Sequence, residues 1–92
     1  MENIKFISAG YSGLFDTKNG MIEEGNILID VDGEDVYLTI QIDGNGDDYI
    51  LLDDLEYISQ MESIGIEFFE DELIGPETFL TDLRMFYDSE TS

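Results

Sequence analysis

The most regular feature of the chain is a period-two alternation of apolar and polar side chains in its middle third. From Asn26 to Asp32, the residues Ile27, Ile29 and Val31 fall on one side, and Asp30 and Asp32 on the other. After a turn at Gly33, residues 35–43 repeat the pattern, with Val36, Leu38, Ile40 and Ile42 inward and Tyr37, Thr39, Gln41 and Asp43 outward. Successive side chains of a strand leave on opposite sides, so this alternation predicts antiparallel strands with one face on a core and one in water. A first strand is expected over residues 3–9, with Ile4, Phe6 and Ser8 sharing a face, interrupted by Gly10, Ser12 and Gly13. Asn19-Gly20 signals a hairpin, because a type I′ turn needs positive φ at both central positions. Leu14-Phe15 and Met21-Ile22 would flank it as short paired strands. The loop Asp43-Gly44-Asn45-Gly46-Asp47 leads into a short strand, Tyr49 to Leu52.

The period then changes. Asp53, with Glu56 three residues later, has the spacing of a capping box, and Leu55, Ile58 and Met61 follow at helical intervals until Gly65 supplies a stop. Ile66 to Phe69 reads as another strand. Gly75-Pro76-Glu77 opens a second helix, with proline at its first position and an acid in its first turn. Phe79, Leu80, Leu83, Phe86 and Tyr87 form its apolar stripe, and Asp88 to Ser92 are expected to fray. The pattern predicts an α+β fold in which residues 1–92 form a single small domain, an antiparallel β-sheet with two α-helices on one face.

Charge changes this picture most. The chain holds 23 carboxylates against Lys5, Lys18 and Arg84, a net charge of −20. Its 42% hydrophobic content and a longest acidic run of three, Glu70-Asp71-Glu72, separate it from disordered acidic tails, which lack core material and carry longer blocks. Residues 19–83 contain no basic side chain, and that span holds 19 of the 23 carboxylates. Ordinary acidic surfaces intersperse lysine to pair their charges. A salt-loving origin fits poorly with one alanine and twelve isoleucines. With no cysteine and no histidine, thiolate chemistry, disulfides, imidazole bases and zinc sites built on those residues are excluded. No apolar run approaches the ~20 residues of a membrane span and no signal-peptide pattern is present, so the expected location is the cytoplasm.

Local motifs are weak. Asp43, Asn45, Asp47 and Asp54 have spacings found in an EF-hand calcium loop, but Asp48 stands where that loop turns on glycine, and a strand precedes it. The plainer reading is an acidic hairpin turn. Paired acids such as Asp53-Asp54 or Glu23-Glu24 lack the deep cleft that acid–base chemistry needs, so no enzyme, no catalytic residue and no cofactor is expected. Tyr37 and Tyr49 are candidates for exposed anchors on the wet face, tyrosine being common at binding hot spots.

In small size, extreme acidity, absence of histidine and cysteine, and α+β pattern, the whole chain resembles phage-encoded acidic inhibitors that mimic nucleic acid, anti-CRISPR proteins among them. The resemblance is one of character, carried by no motif. It implies a non-enzymatic DNA mimic that blocks the basic nucleic-acid-binding surface of a host defence protein, such as a CRISPR-Cas effector or other nuclease. Such a protein binds neither nucleic acid nor membrane itself. The contacts it implies are Asp30, Asp32, Glu34 and Asp35 with Tyr37; Asp43, Asp47, Asp48, Asp53 and Asp54 with Tyr49; and Glu67, Glu70, Asp71 and Glu72. An immunity protein against a basic nuclease toxin and a calcium-binding acidic module are the alternatives.

Overall fold

The computed structural model describes residues 3–18 and 20–92. Six antiparallel strands form one sheet in the order β1-β2-β3-β4-β6-β5. The strands are β1 (Ile4–Thr17), β2 (Gly20–Val31), β3 (Glu34–Ile42), β4 (Asp48–Leu52), β5 (Glu67–Phe69) and β6 (Glu72–Gly75). A 3-10 turn (Leu55–Tyr57) and a short helix α1 (Ile58–Ser63) link β4 to β5, and helix α2 (Glu77–Thr91) ends the chain.

The alternation in the middle strands produces the core directly. Ile27, Ile29 and Val31 of β2 and Val36, Leu38 and Ile40 of β3 are fully buried, and Ile50 and Leu52 extend the same face across β4. Phe79, Leu83 and Tyr87, spaced four residues apart on α2, are buried against this face, and so is Met61 of α1. Both helices therefore cover one side of the sheet. Phe6 of β1 meets Phe86 and Phe79 of α2 with ring centroids 5.3 and 6.1 Å apart, which ties the edge strand to the helix. The α+β architecture is the expected one. No described side chain in the core is polar or charged.

Several local expectations need correction. Gly10, Ser12 and Gly13 do not end the first strand. It runs 14 residues, with register shifts between Phe6 and Ser8 and between Tyr11 and Gly13 absorbing one residue each. The first shift reverses the alternation, so Ala9, not Ser8, joins Ile4 and Phe6 against the core. Leu14-Phe15 and Met21-Ile22 do pair, but as parts of these long strands. Thr17 pairs with Gly20, which has φ 108° and opens β2; the Asn19-Gly20 turn expectation falls on Asn19, which lies outside the described residues.

The helix cap is Asp54 rather than Asp53, its carboxylate accepting from the Glu56 amide. Leu55 consequently sits in a 3-10 turn, out of phase with α1, and is exposed. Strand β6 lies in a segment where acids mask the alternation of Leu73 and Gly75 inward with Glu72 and Ile74 outward. Pro76 precedes α2 as its N-cap, following a cis peptide bond, rather than occupying the first helical position. The C-terminal turn is not frayed: α2 continues to Thr91, whose hydroxyl donates to the Tyr87 carbonyl at 2.7 Å.

Candidate functional site

With both helices on one face, the other face of the sheet and the turns at its ends are left to solvent. The outward residues of β3 and β4 include Tyr37, 54% exposed, and Tyr49, 43% exposed. Tyr37 stands opposite Leu28, next to the facing pair Asp30 and Asp35. Asp43 lies six residues further along the chain, at the far end of β3, and is not its neighbour.

Antiparallel topology brings three separate acidic segments to one end of the sheet. The first is the β2–β3 hairpin. Val31 pairs with Glu34, leaving Asp32 and Gly33 as a two-residue turn with φ of 52° and 88°, the left-handed pair of a type I′ turn. The Asp30 carboxylate accepts from the Gly33 amide at 2.7 Å and fixes the turn. The second segment follows β4, where the Asp53 amide donates to the Tyr37 carbonyl and the Asp53 carboxylate accepts from the Thr39 hydroxyl at 2.7 Å. Asp54 and Glu56 form the next turn. The third is the β5–β6 hairpin, with Glu70 at φ 55° and the Asp71 carbonyl accepting from the Leu52 amide.

Asp30, Asp32, Glu34 and Asp35, then Asp53, Asp54 and Glu56, then Glu70, Asp71 and Glu72, thus gather at one end, ten carboxylates in all. Lys5, the cross-strand partner of Asp30, is at its margin. The field there is felt by Tyr57, whose phenol is pushed above its ordinary pKa, first by desolvation and then by Glu34, Asp54, Glu56 and Asp35. Among the described residues, the side chains of Asp32, Glu34, Asp35, Glu70 and Asp71 have no hydrogen-bond or ion-pair partner.

Asp43, Asp47 and Asp48 belong to the opposite end. The Asp43 carboxylate accepts from the amides of Asn45 and Asp47 at 2.9 and 3.0 Å and closes the β3–β4 turn. Arg84 of α2 reaches across to this turn, donating to the Gly46 carbonyl and pairing with Asp48 at 3.0 Å and with Asp88 at 3.1 Å. The acids from Asp43 to Asp54, adjacent in sequence, are therefore divided by the length of β4, about 17 Å for five residues. The same division takes Asp54 out of any loop with Asp43, Asn45 and Asp47. No group of three or more carboxylates among the described residues is arranged to hold a metal ion.

Glu67 starts β5, away from the hairpin that holds Glu70 and Asp71. Sequence reasoning missed Glu56, Tyr57 and the exposed Phe69 and Ile74; the last two share the open face with Glu72, and the alternation of β6 was the available signal. No helix among the described residues is long and apolar enough to cross a membrane. Comparison with known family models, curated proteins and solved structures finds no match to this chain.

Proposed function

We propose that the protein is a non-catalytic acidic inhibitor. In this reading it occupies a basic nucleic-acid-binding surface of a host defence protein, a CRISPR-Cas effector by the resemblance of character. The observation that carries the reading is the convergence of ten carboxylates from three sequence segments on one end of the sheet, where Lys5 is the one basic side chain among the described residues. Five of those side chains have no partner among the described residues, which leaves them available to one outside.

Scale supports the same reading. The long axis of the molecule is 36 Å. A duplex of that length carries about 21 phosphates, at one per ~1.7 Å, against a net charge of −20 here. A groove evolved to hold duplex would meet a comparable total field, and steering of this kind speeds association at low salt.

The test is to replace Asp32, Asp35 and Asp71 together by lysine, which changes the net charge by six units without removing an internal hydrogen bond. Inhibition of DNA binding is then measured across a panel of CRISPR effectors and nucleases. Association is expected to slow by about 10- to 100-fold at low salt. Inhibition that survives the triple replacement unchanged would show that the acidic end is not the contact.

A further inference from the structure

The acidity of the chain is not uniform, and a neutral stretch coincides with an edge of the sheet. Strand β1 forms one edge of the sheet and pairs only with β2. From Ile4 to Asp16 it carries one lysine and one aspartate, a net charge of zero, while the rest of the chain carries the whole −20. On this strand Ile7, Tyr11, Leu14 and Phe15 are each 49–57% exposed. No described backbone hydrogen bond reaches its outer side between Ile4 and Asp16. Edges are normally shielded by proline, by several charges or by shortness. Among the described residues, Lys5 and Asp16 near the strand's ends and the two register shifts are the devices of this kind.

We propose that this edge pairs, antiparallel, with β1 of a second copy of this chain. Charge selects that occupant. A basic partner gains nothing from a neutral edge when an acidic end lies elsewhere on the molecule, whereas two neutral edges meet without juxtaposing acidic ends. The edge is also self-complementary about Gly10. Using the β2 partners as a ruler, a twofold axis at Gly10 sets Phe6 opposite Leu14 of the second copy and Ala9 opposite Tyr11, each pair on one face. On the other face it sets Lys5 opposite Phe15, a cation over an aromatic ring.

The area decides how strong the contact is. About eleven ladder steps of ~3.3 Å give an edge near 36 Å, and a sheet thickness of ~10 Å gives roughly 360 Å² per copy. The pair together buries about 720 Å², below the ~1,000 Å² of a stable specific interface, so the contact is weak and reversible. Two molecules of like charge also repel until salt screens them, so self-association strengthens with salt, the opposite of what binding to a basic surface would do.

The absence of cysteine makes a clean test possible. Gly10 has no atom within 4 Å of where a Cβ would stand, so Gly10→Cys is accommodated, and a residue on the twofold axis lies beside its own copy. Thr78→Cys, exposed on α2, is the control for random collision. Under mild oxidation in 0.5 M NaCl, Gly10→Cys is expected to form disulfide-linked dimer at least about tenfold faster than Thr78→Cys, and adding Leu14→Lys should abolish the difference. Sedimentation of the unmodified chain should show a reversible dimer that grows between 0.05 and 0.5 M NaCl. Equal cross-linking rates, a monomer at every salt concentration, or open-ended oligomers in place of a closed dimer would each overturn the proposal.

Discussion

Gly25 is the position where the smallest chemical change should do the most damage. It lies on the core face of β2, between Tyr11 and Ile40, and the ring of Tyr87 crosses directly over it. A methyl group at Gly25 would stand 2.7 Å from Cζ of Tyr87 and 2.6 Å from its hydroxyl oxygen, and closer still to Cε1. Carbon contacts settle near 3.5–4.0 Å, so the ring has to retreat by about 1 Å. It cannot do so freely. Tyr87 is 1% exposed, and its hydroxyl donates to Glu23 at 2.7 Å. A shift of that size breaks the hydrogen bond, and the part-exposed position of Glu23 puts that loss near ~1.5 kcal/mol. Overpacking adds about 1–3 kcal/mol, and the reduced freedom of the unfolded chain returns ~0.4–1 kcal/mol. Gly25→Ala is therefore expected to cost about 2–4 kcal/mol. For a domain of this size that lowers Tm by about 10–25 °C. Urea and thermal unfolding of Gly25→Ala, Tyr87→Leu and the double variant form a thermodynamic cycle. Removing the ring should make the alanine nearly neutral. If Gly25→Ala costs the same with and without the ring, the steric argument is wrong.

Three further outcomes follow from charges the fold does or does not pair. With −20 net charge, self-repulsion should fall with screening, so Tm is expected to rise by several degrees between 0.02 and 0.5 M NaCl; a flat response would mean the charges are too dispersed to matter. Arg84→Met removes the ties to Gly46, Asp48 and Asp88, and with its side chain 28% exposed the loss should be about 1–2 kcal/mol, read by urea unfolding, with faster amide exchange in the β3–β4 turn. The Tyr87 phenol is held above its ordinary pKa by burial first and then by the Glu23 hydrogen bond. The folded state thus keeps a proton that the unfolded chain releases above pH ~10. Stability present below pH 10 should be lost as pH rises further, by up to ~1.4 kcal/mol per unit, and Tyr87→Phe should lessen that slope.

How much of this could be read from sequence depended on whether one period ruled a segment. Apart from the outward Leu28 and the turn at residues 32–35, residues 27–42 alternate, and their strands and core residues follow from that period. The stripe of α2 was equally plain, because Phe79, Leu83 and Tyr87 repeat every four residues. Strand β1 was cut short because Gly10, Ser12 and Gly13 look like breakers. The structure uses two one-residue shifts instead, and a shift leaves no mark that distinguishes it from a loop. Strand β6 was missed because it has four residues and starts inside an acidic run. For the candidate site, the sequence supplied nine of the ten acids but grouped them wrongly. Adjacency along the chain placed Asp43 with Asp54, whereas an intervening strand puts them at opposite ends, and only pairing across strands brings Asp71 beside Leu52 and Asp53 beside Tyr37.

The acids that do have structural partners give a way to ask whether charge serves the fold at all. Asp30 fixes a turn by accepting one amide hydrogen, and Asp54 caps the 3-10 turn in the same way. Each job requires an oxygen acceptor on a short side chain, not a negative charge, and asparagine caps about as well as aspartate. No described carboxylate is buried, and the only described salt bridges are those of Arg84. Asp30→Asn and Asp54→Asn should therefore leave the fold intact and raise stability slightly, since each removes one repelling charge and keeps its hydrogen bond. Thermal unfolding checks this, and a loss of more than ~1 kcal/mol would mean that the carboxylates are held for folding. If stability holds while binding to a basic partner weakens, the charge at this end of the sheet is a cost that only a partner explains.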